Sequence, residues 1–403
     1  MRIVIMKFGG TSVSTPESRA QIVAKVKESQ RLGNRPVVVV SAMGRKPSPY
    51  ATDSLLALVN EYREHHCSAE LDQLMACGET LSSIVVSHTF RAAGLLSRSF
   101  DGRQAGIETS GEHGNGTVVY IDPEPLYQYL QSGGVPVVTG FQGVNSSGRT
   151  TTLGRGGSDT SAVALGAALK AHFVEIYTDV DGVMSADPRV YSEAEILHQI
   201  NFEEMGELAS EGAKVIHPRA VKMADLHGVP VWIKNTGSDH PGTFMARAVP
   251  RQAYERERVI SGVAHMYGMT GLVVDVQDRA SQVDVLQQLA DAGVNLDLIN
   301  VTQYRLYAIL STVSFHEKGE QLLSKLGFAY QVTHECAKLS IVGTGMRGTP
   351  GVMSRVIGCL HRAGVTVVHS TDSNITISIL VRDSDVPMAV EALHQEFQKS
   401  TLV

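Results

Sequence analysis

Within the first 245 residues, five short apolar runs recur between helix-like segments, and this alternation restricts the fold more than any other feature of the chain. The runs are RIVIMKF (2–8), PVVVVSA (36–42), VPVVTGF (135–141), FVEIYTD (173–179) and VPVWIK (229–234). They read as strands buried on both faces rather than as half-exposed strands. Helical patterns occupy residues 16–32, 69–93, 158–171 and 214–227. Such strands separated by helices predict an α/β fold, with a mostly parallel central sheet and helices on each side. A chain of 403 residues exceeds one ordinary core, so further domains are expected.

Around residues 237–256 the pattern lapses into GSDHPGT and the charged RQAYERER, which marks a linker. Beyond it the chain repeats itself weakly. VLQQLADAGVNLDLINVT (285–302) and VIGCLHRAGVTVVHSTDS (356–373) each read as a helix ending in Ala-Gly-Val followed by a strand, 71 residues apart. In each copy the glycine, Gly293 or Gly364, sits where a helix C-cap would be, and a further strand follows: AILSTVSF (308–315) or ITISILV (375–381). Two ferredoxin-like βαββαβ modules of about 70 residues are predicted. The second copy carries Gly343, Gly345 and Gly348 in the dinucleotide-binding spacing G-x-G-x-x-G, with Asp372 24 residues further on. Too little chain follows for a dinucleotide fold, and the first copy (VVDVQDRASQVDV) has no such glycines, so the motif reads as a turn.

The net charge of −6 and pI near 6.2 argue against nucleic-acid binding through an overall field. Four cysteines with no C-x-x-C pair argue against a disulfide framework or a zinc site. The opening MRIVIMKFGG has neither the length nor the cleavage site of a signal peptide, and no stretch approaches a bilayer span; a cytoplasmic protein is expected.

Several stretches carry side chains suited to anions and to an amino acid. In KFGGTSV, Lys7 precedes Gly9 and Gly10 directly after a strand, so glycine amides and a lysine charge suit phosphate oxygens. This is not a Walker A loop, in which the lysine follows the glycines. In TTLGRGGSDTSAVALGAAL (151–169), Gly154, Gly156 and Gly157 surround Arg155, and Ser158-Asp159-Thr160 open a helix of small residues. Ser158 and Asp159 suit helix N-caps. The same loop also aims a helix N-terminus, glycine amides and an arginine fork at one place, an arrangement for a carboxylate or phosphate. In YTDVDGVMSADPRV (177–190), Asp179, Asp181 and Asp187 form either a solvated turn or a site for a ribose or magnesium. In EGAKVIHPRAV (211–221), Lys214 begins a helix-like run, where a cation is misplaced unless an anion binds nearby. Ser41 ends a strand, and the Gly/Pro-rich loop from it to Thr52-Asp53 has the composition of a mobile lid. Glu79 in ACGETLSS either meets a substrate ammonium or is solvated. His65-His66-Cys67, in the charged EYREHHCSAE, reads as a solvated face rather than a metal cluster.

Taken in order, KFGGTSV, SAMG, CGE, GFQG, TTLGRGGSDT, YTDVDGV with SADPR, and AKVIHPRAV closely resemble the aspartate kinases of the amino-acid kinase family. The resemblance covers essentially the whole chain, and the two C-terminal modules resemble ACT domains. It implies a three-layer amino-acid-kinase-type sandwich at 1–245, a first ACT module at 266–332, and a second made from 258–265 and 333–403. The implied reaction is ATP-dependent phosphorylation of the side-chain carboxylate of L-aspartate to 4-phospho-L-aspartate. That is the first step toward lysine and diaminopimelate, threonine and methionine, with ATP as substrate and Mg²⁺ as its companion.

Position by position, the resemblance implies that Lys7 contacts the transferring phosphoryl group, that Phe8, Gly9 and Gly10 line the phosphate path, and that Ser41 lies near the same phosphates. Asp159 organises the active-site lysines and Lys214 is the second of them. Thr178, Asp179 and the run Met184, Ser185, Ala186, Asp187, Pro188, Arg189 fall at nucleotide positions. Thr52, Glu79, Arg155, Gly156, Gly157 and Ser158 fall at aspartate positions, with Arg155 on a carboxylate and Glu79 on the ammonium. No metal ligand is implied. An amino-acid effector (lysine, threonine or diaminopimelate) is implied near Asn295, Asp297, Asn374 and Ile375, where ACT modules pair. The chain departs from many relatives in the first module, where Asp278-Arg279-Ala280-Ser281 stands in place of a D-x-P-G turn. A homodimer or a dimer of dimers is implied, and Met245 is a candidate internal start for a separate regulatory chain.

The chemistry agrees. A side-chain carboxylate is ionised at neutral pH, so the acceptor needs no general base. The obstacle is repulsion between two anions, which calls for alignment and positive charge from Lys7, Lys214, glycine amides and Mg²⁺. The alternatives are a kinase acting on glutamate, acetylglutamate or a carbamoyl substrate, and a non-catalytic amino-acid sensor.

Overall fold

The computed structural model describes residues 1–247 and 259–398, in two compact units. RQAYERER, the charged part of the expected linker, lies outside the described residues. The first unit comprises Met1–Val183, Ile196–Ala209 and Lys214–Pro250, and the second comprises Met184–Glu195, Ser210–Ala213 and Arg251–Val403. Two short segments from within the first 245 residues therefore pack with the C-terminal part.

In the first unit, eight strands lie in the order Gln199–Asn201, Thr243–Ala246, Val231–Asn235, Phe173–Thr178, Ile3–Phe8, Arg35–Val40, Val135–Thr139 and Ser97–Phe100. The last six run parallel; the Thr243 strand is antiparallel to its Val231 neighbour and parallel to the Gln199 strand. Side chains leave the Ile3–Phe8 strand on alternate faces. Val4, Met6 and Phe8 pack with Ile22 and Val26 of the helix Pro16–Arg31 and with Val86 and Phe90 of the helix Ser68–Ala92. On the other face, Ile5 and Val174 approach Gly166 of the helix Gly157–Ala168, which is buried from Gly157 to Gly166. Its small residues allow that close packing, and the result is three layers.

The chain leaves the central Ile3–Phe8 strand toward Arg35–Val40 and Val135–Thr139 on one side. It then returns to Phe173–Thr178 on the other side. That reversal is a topological switch point, and ligands of open parallel sheets bind beyond the carboxyl ends of the strands there. A second sheet, Thr117–Ile121, Ile107–Ser110, Gln142–Val144 and Thr150–Thr152, brings the glycine-rich 111–116 loop beside the residues that lead to Arg155.

The second unit is built on one six-stranded antiparallel sheet, in the order Ile299–Val301, Arg305–Ser311, Gly262–Asp275, Tyr330–Val342, Thr376–Arg382 and His369–Asp372. The two long central strands serve both halves. Met269–Asp275 pairs with Arg305–Ser311, whereas Gly262–Met266 pairs with Lys338–Val342, whose other neighbour is Thr376–Arg382. Each repeat helix ends within its Ala-Gly-Val, but the C-cap is Ala292 or Ala363 rather than the expected glycine, which follows it in the left-handed conformation at φ 68° or 75°. Where a D-x-P-G turn is missing, Asp278 caps the helix Arg279–Asp291 by accepting from the Ser281 N–H at 2.8 Å. The glycine motif of the second repeat is a turn, as expected. A Cβ on Gly343 would meet the Val259 carbonyl oxygen at 2.4 Å, so the strand entry passing there requires glycine.

Candidate active site

Lys7 stands one residue before the end of the central strand, between Val39 and Ile176 of its parallel neighbours. Its Nζ lies 2.6 Å from Asp159 Oδ1, and both side chains are about nine-tenths buried, at 11% and 12% exposure. Asp159 is in the first turn of the helix Gly157–Ala168. The N-cap is Gly156, with no side-chain capping bond, so the capping alternative for Ser158 and Asp159 is excluded. Freed from capping, Asp159 faces the lysine. An ammonium has three donors, and the Asp159 contact leaves others for a phosphate. Gly9 N–H donates to Tyr177 O at 3.3 Å, Ser41 N–H to Phe8 O at 3.2 Å, and Gly44 N–H to Gly10 O at 2.9 Å. These bonds gather the ends of three strands around the Lys7–Gly10 turn. Phe8 itself stacks on Tyr177, with ring centroids 4.7 Å apart, and is wholly buried.

Glu79 lies within the helix Ser68–Ala92 and is 3% exposed, so the solvated alternative is excluded. Its Oε1 accepts the Ala42 N–H at 2.9 Å, while Oε2 is buried without a partner among the described residues. Burial pushes its carboxyl up to about 8, against the opposing pull of the Ala42 N–H. A buried acceptor without a donor is costly, and an ammonium group would satisfy it. Gly78 explains how the loop gets so close. A Cβ there would sit 2.7 Å from Ala42 Cβ and 3.1 Å from Tyr50 O, so only glycine admits the 42–55 segment against the helix. Thr52 opens the short helix Thr52–Ala57 in that segment.

Arg155 is exposed at the turn into the helix Gly157–Ala168 and makes no ion pair among the described residues. Gly156 is left-handed at φ 72°, and a Cβ there would fall 2.1 Å from His217 Cγ. The AKVIHPR segment thus packs on the arginine loop. His217 sits within the field of Asp159, Arg219 and Arg155; burial holds its imidazole below the usual value, the two arginines add to this, and Asp159 opposes it. Lys214 is not at a helix start. The helix runs Pro218–His227 with His217 as N-cap, and Lys214 is exposed in the preceding turn. Pro218 sets that boundary, because proline favours the first helical position and bars helix at the residue before it.

At the next strand end, Thr178 Oγ1 donates to Asp179 Oδ1 at 3.1 Å, and Arg45 reaches Asp179 at 3.4 Å. Asp181 accepts from Asn235 Nδ2 at 2.8 Å. Met184, Ser185, Ala186, Asp187, Pro188 and Arg189 fall in the second unit, where the Arg189 guanidinium clasps Asp187 at 2.6 Å and holds its carboxyl low. Among the described residues no group of three His, Cys, Asp or Glu side chains has the spacing of a metal site. His65 and His66 are exposed, and Cys67 is a free thiol.

In the second unit, Asp297 Oδ2 meets Lys338 Nζ at 2.5 Å, and the same lysine, 2% exposed, pairs with Glu211 at 2.7 Å. Burial opposes the lysine's charge, yet the bonds to Asp297 and Glu211 hold its pKa above the ordinary value. Asn295 is exposed, whereas Ile375 is buried and its carbonyl accepts the Gly343 N–H at 2.9 Å; Asn374 precedes it.

Asp72, His113, Asn115, His217 and Arg219 also shape the site, although none of them stands out in the sequence. Arg219 Nη1 donates to Leu153 O at 2.9 Å and Nη2 to Asn115 Oδ1, so it holds the arginine loop from behind. The available signal for Asp72 was its spacing from Glu79, two helical turns along the same face.

The amino acid kinase family matches residues 2–235, and the ACT domain family matches residues 339–397. Aspartokinase 1 of Bacillus subtilis (strain 168) is 40% identical over 407 residues, which are 99% of this chain and 100% of that protein. A crystal structure of E. coli aspartokinase III in complex with aspartate and ADP superposes with a TM-score of 0.76 at 25% identity, covering 99% of this chain and 100% of that one. The same enzyme in complex with lysine and aspartate gives 0.77 at 25% identity, covering 98% and 99%.

Proposed function

Because this chain belongs to the amino acid kinase family, and within it to the aspartokinases, we propose that it phosphorylates the side-chain carboxylate of L-aspartate with ATP, under feedback control by an end-product amino acid. The observation that carries the reading is that two largely buried groups have opposite tasks. Lys7, held by Asp159, offers charge to a phosphate, and Glu79 offers an unpaired acceptor to an ammonium. Aspartate enters with its ammonium on Glu79 and one carboxylate on Arg155, leaving the side-chain carboxylate to attack the γ-phosphorus in line. The attacking oxygen is already ionised, so Asp159 removes no proton. It holds Lys7 where charge gathers on the transferring group. Lys214 serves as the second cation, Gly9 and Gly10 line the phosphate path, and Thr178 and Asp179 stand on the nucleotide side. Magnesium travels with ATP, because it retains waters and binds chiefly through phosphates.

The domain division follows the same reading: catalytic residues to about 245, a first ACT module over 266–332, and a second formed by the strand before it together with the residues from 333 onward. The effector is placed near Asn295, Asp297, Asn374 and Ile375, with lysine supported by its presence in the E. coli complex. A homodimer joined through the ACT modules and a cytoplasmic setting complete the proposal; no helix among the described residues is long and apolar enough to cross a membrane. A coupled ADP-release assay over a panel of amino acids tests the reading. Strict aspartate dependence, inhibited by lysine, threonine or diaminopimelate, is expected; preference for glutamate or acetylglutamate overturns it.

A further inference from the structure

We propose that Asp72 is the positioning residue that fixes the aspartate-gripping arginine relative to Glu79, so that one face of one helix sets the spacing of the amino-acid site. The inference rests on the reading of Arg155 and Glu79 as the two grips. Asp72, Ala76 and Glu79 follow one another at intervals of four and three along the helix Ser68–Ala92, which places them on a single face. Each holds a different segment. Glu79 accepts the Ala42 N–H, the Ala76 carbonyl accepts Gln142 Nε2 at 3.1 Å, and Asp72 takes hold of two segments at once.

Asp72 is wholly buried, and no lysine or arginine pairs with it among the described residues. Its oxygens accept the Thr152 N–H at 3.1 Å, the Thr152 hydroxyl at 2.5 Å, the Gly114 N–H at 2.9 Å and a His113 Nδ1 contact at 2.7 Å. Thr152 stands three residues before Arg155. Between them, Leu153 O is held by Arg219, and Gly154 lies so close to the 111–116 loop that a Cβ would meet Gly114 O at 3.0 Å. The loop that Asp72 anchors is therefore the floor under the arginine turn, and Asn115 of that loop is bound by the same Arg219. A fully buried carboxylate with this many donors has a single satisfied geometry, and that geometry transmits the helix position to Arg155.

The test uses two acceptors, L-aspartate and its α-amide, which keeps the side-chain carboxylate but loses the charge that Arg155 grips. For Asp72→Asn we expect the KM for aspartate to rise about 10- to 100-fold, as loss of hydrogen bonds to a charged group implies. The KM for ATP should stay within about twofold, and the preference for aspartate over the α-amide should collapse. A purely structural role would lower the active fraction and weaken both acceptors alike, and that result overturns the proposal. Should Asp72→Asn fail to fold, Thr152→Val removes only the hydroxyl bond and should give the same selective loss at about 3- to 10-fold; an unchanged preference there overturns it equally. Absence of aspartate turnover in the unaltered protein overturns the functional reading and this inference with it. Turnover in the unaltered protein with equal losses in the variants overturns this inference alone.

Discussion

Aspartate binding should release a proton from Glu79. In the free protein burial pushes this carboxyl up to about 8, against the hydrogen bond from the Ala42 N–H. At pH 7 it is then about 90% protonated, and only the ionised form pairs with an ammonium. Binding must release about 0.9 proton at pH 7, about 0.5 at pH 8 and about 0.1 at pH 9. The apparent dissociation constant should fall about tenfold per pH unit from pH 6 to near 8 and then level, a total of about 90-fold between pH 6 and 9. His217 adds little in this window, since burial already holds it below its ordinary value. Calorimetric titration of aspartate in two buffers of different ionisation enthalpy reads the proton count as the slope of observed heat against buffer heat. Glu79→Gln should abolish that slope and flatten the pH dependence. No proton release at pH 7 in the unaltered protein, with affinity level from pH 6 to 8, would show that Glu79 is already ionised before aspartate binds.

The same carboxyl makes a stability prediction. Its native pKa lies above the unfolded value, so between about pH 4.5 and 8 the native state binds more protons and stability falls as pH rises, by at most roughly 1.4 kcal/mol per unit. Glu79→Gln should therefore raise the melting temperature at pH 8 more than at pH 5, and the opposite order would count against a raised pKa. Lys7→Ala should lower kcat by at least about 1,000-fold while leaving aspartate affinity within about threefold; near-normal turnover removes Lys7 from the mechanism. Gly156→Ala forces a left-handed Cβ into the His217 ring and should cost about 2 kcal/mol or more in urea unfolding, whereas a change below about 0.5 kcal/mol contradicts the packing described. Lys338→Met leaves Glu211 and Asp297 uncompensated and should destabilise by about 3 kcal/mol, with Glu211→Gln in the same chain recovering part of it; a neutral Lys338→Met contradicts the ion-pair account.

The central sheet was legible because its strands are buried on both faces and so read as continuous apolar runs, as in PVVVVSA and VPVVTGF. Ser97–Phe100 and Gln199–Asn201 escaped notice because edge strands of three or four residues leave no periodic signal. Lys7, Glu79, Arg155 and Asp159 could be named from glycine-rich contexts, yet nothing local told whether Asp159 capped its helix or faced a lysine. That choice was made by Gly156, which adopts the left-handed cap itself. Asp72 was invisible for a different reason: its partners lie 41, 42 and 80 residues away, and a lone aspartate in a helical stretch looks solvated until those partners are in place. The Lys214 helix start was misplaced because apolar periodicity runs through Val215 and Ile216 and conceals the boundary that Pro218 imposes.

On the proposed function, the side-chain carboxylate of aspartate takes the phosphoryl group. Hydroxylamine trapping of the acyl phosphate formed from ATP and L-aspartate measures this directly, because the hydroxamate marks which carboxyl was activated. The β-hydroxamate of aspartate is expected, formed in proportion to ADP released. Formation of the α-hydroxamate, or ADP release with no hydroxamate at all, would contradict it.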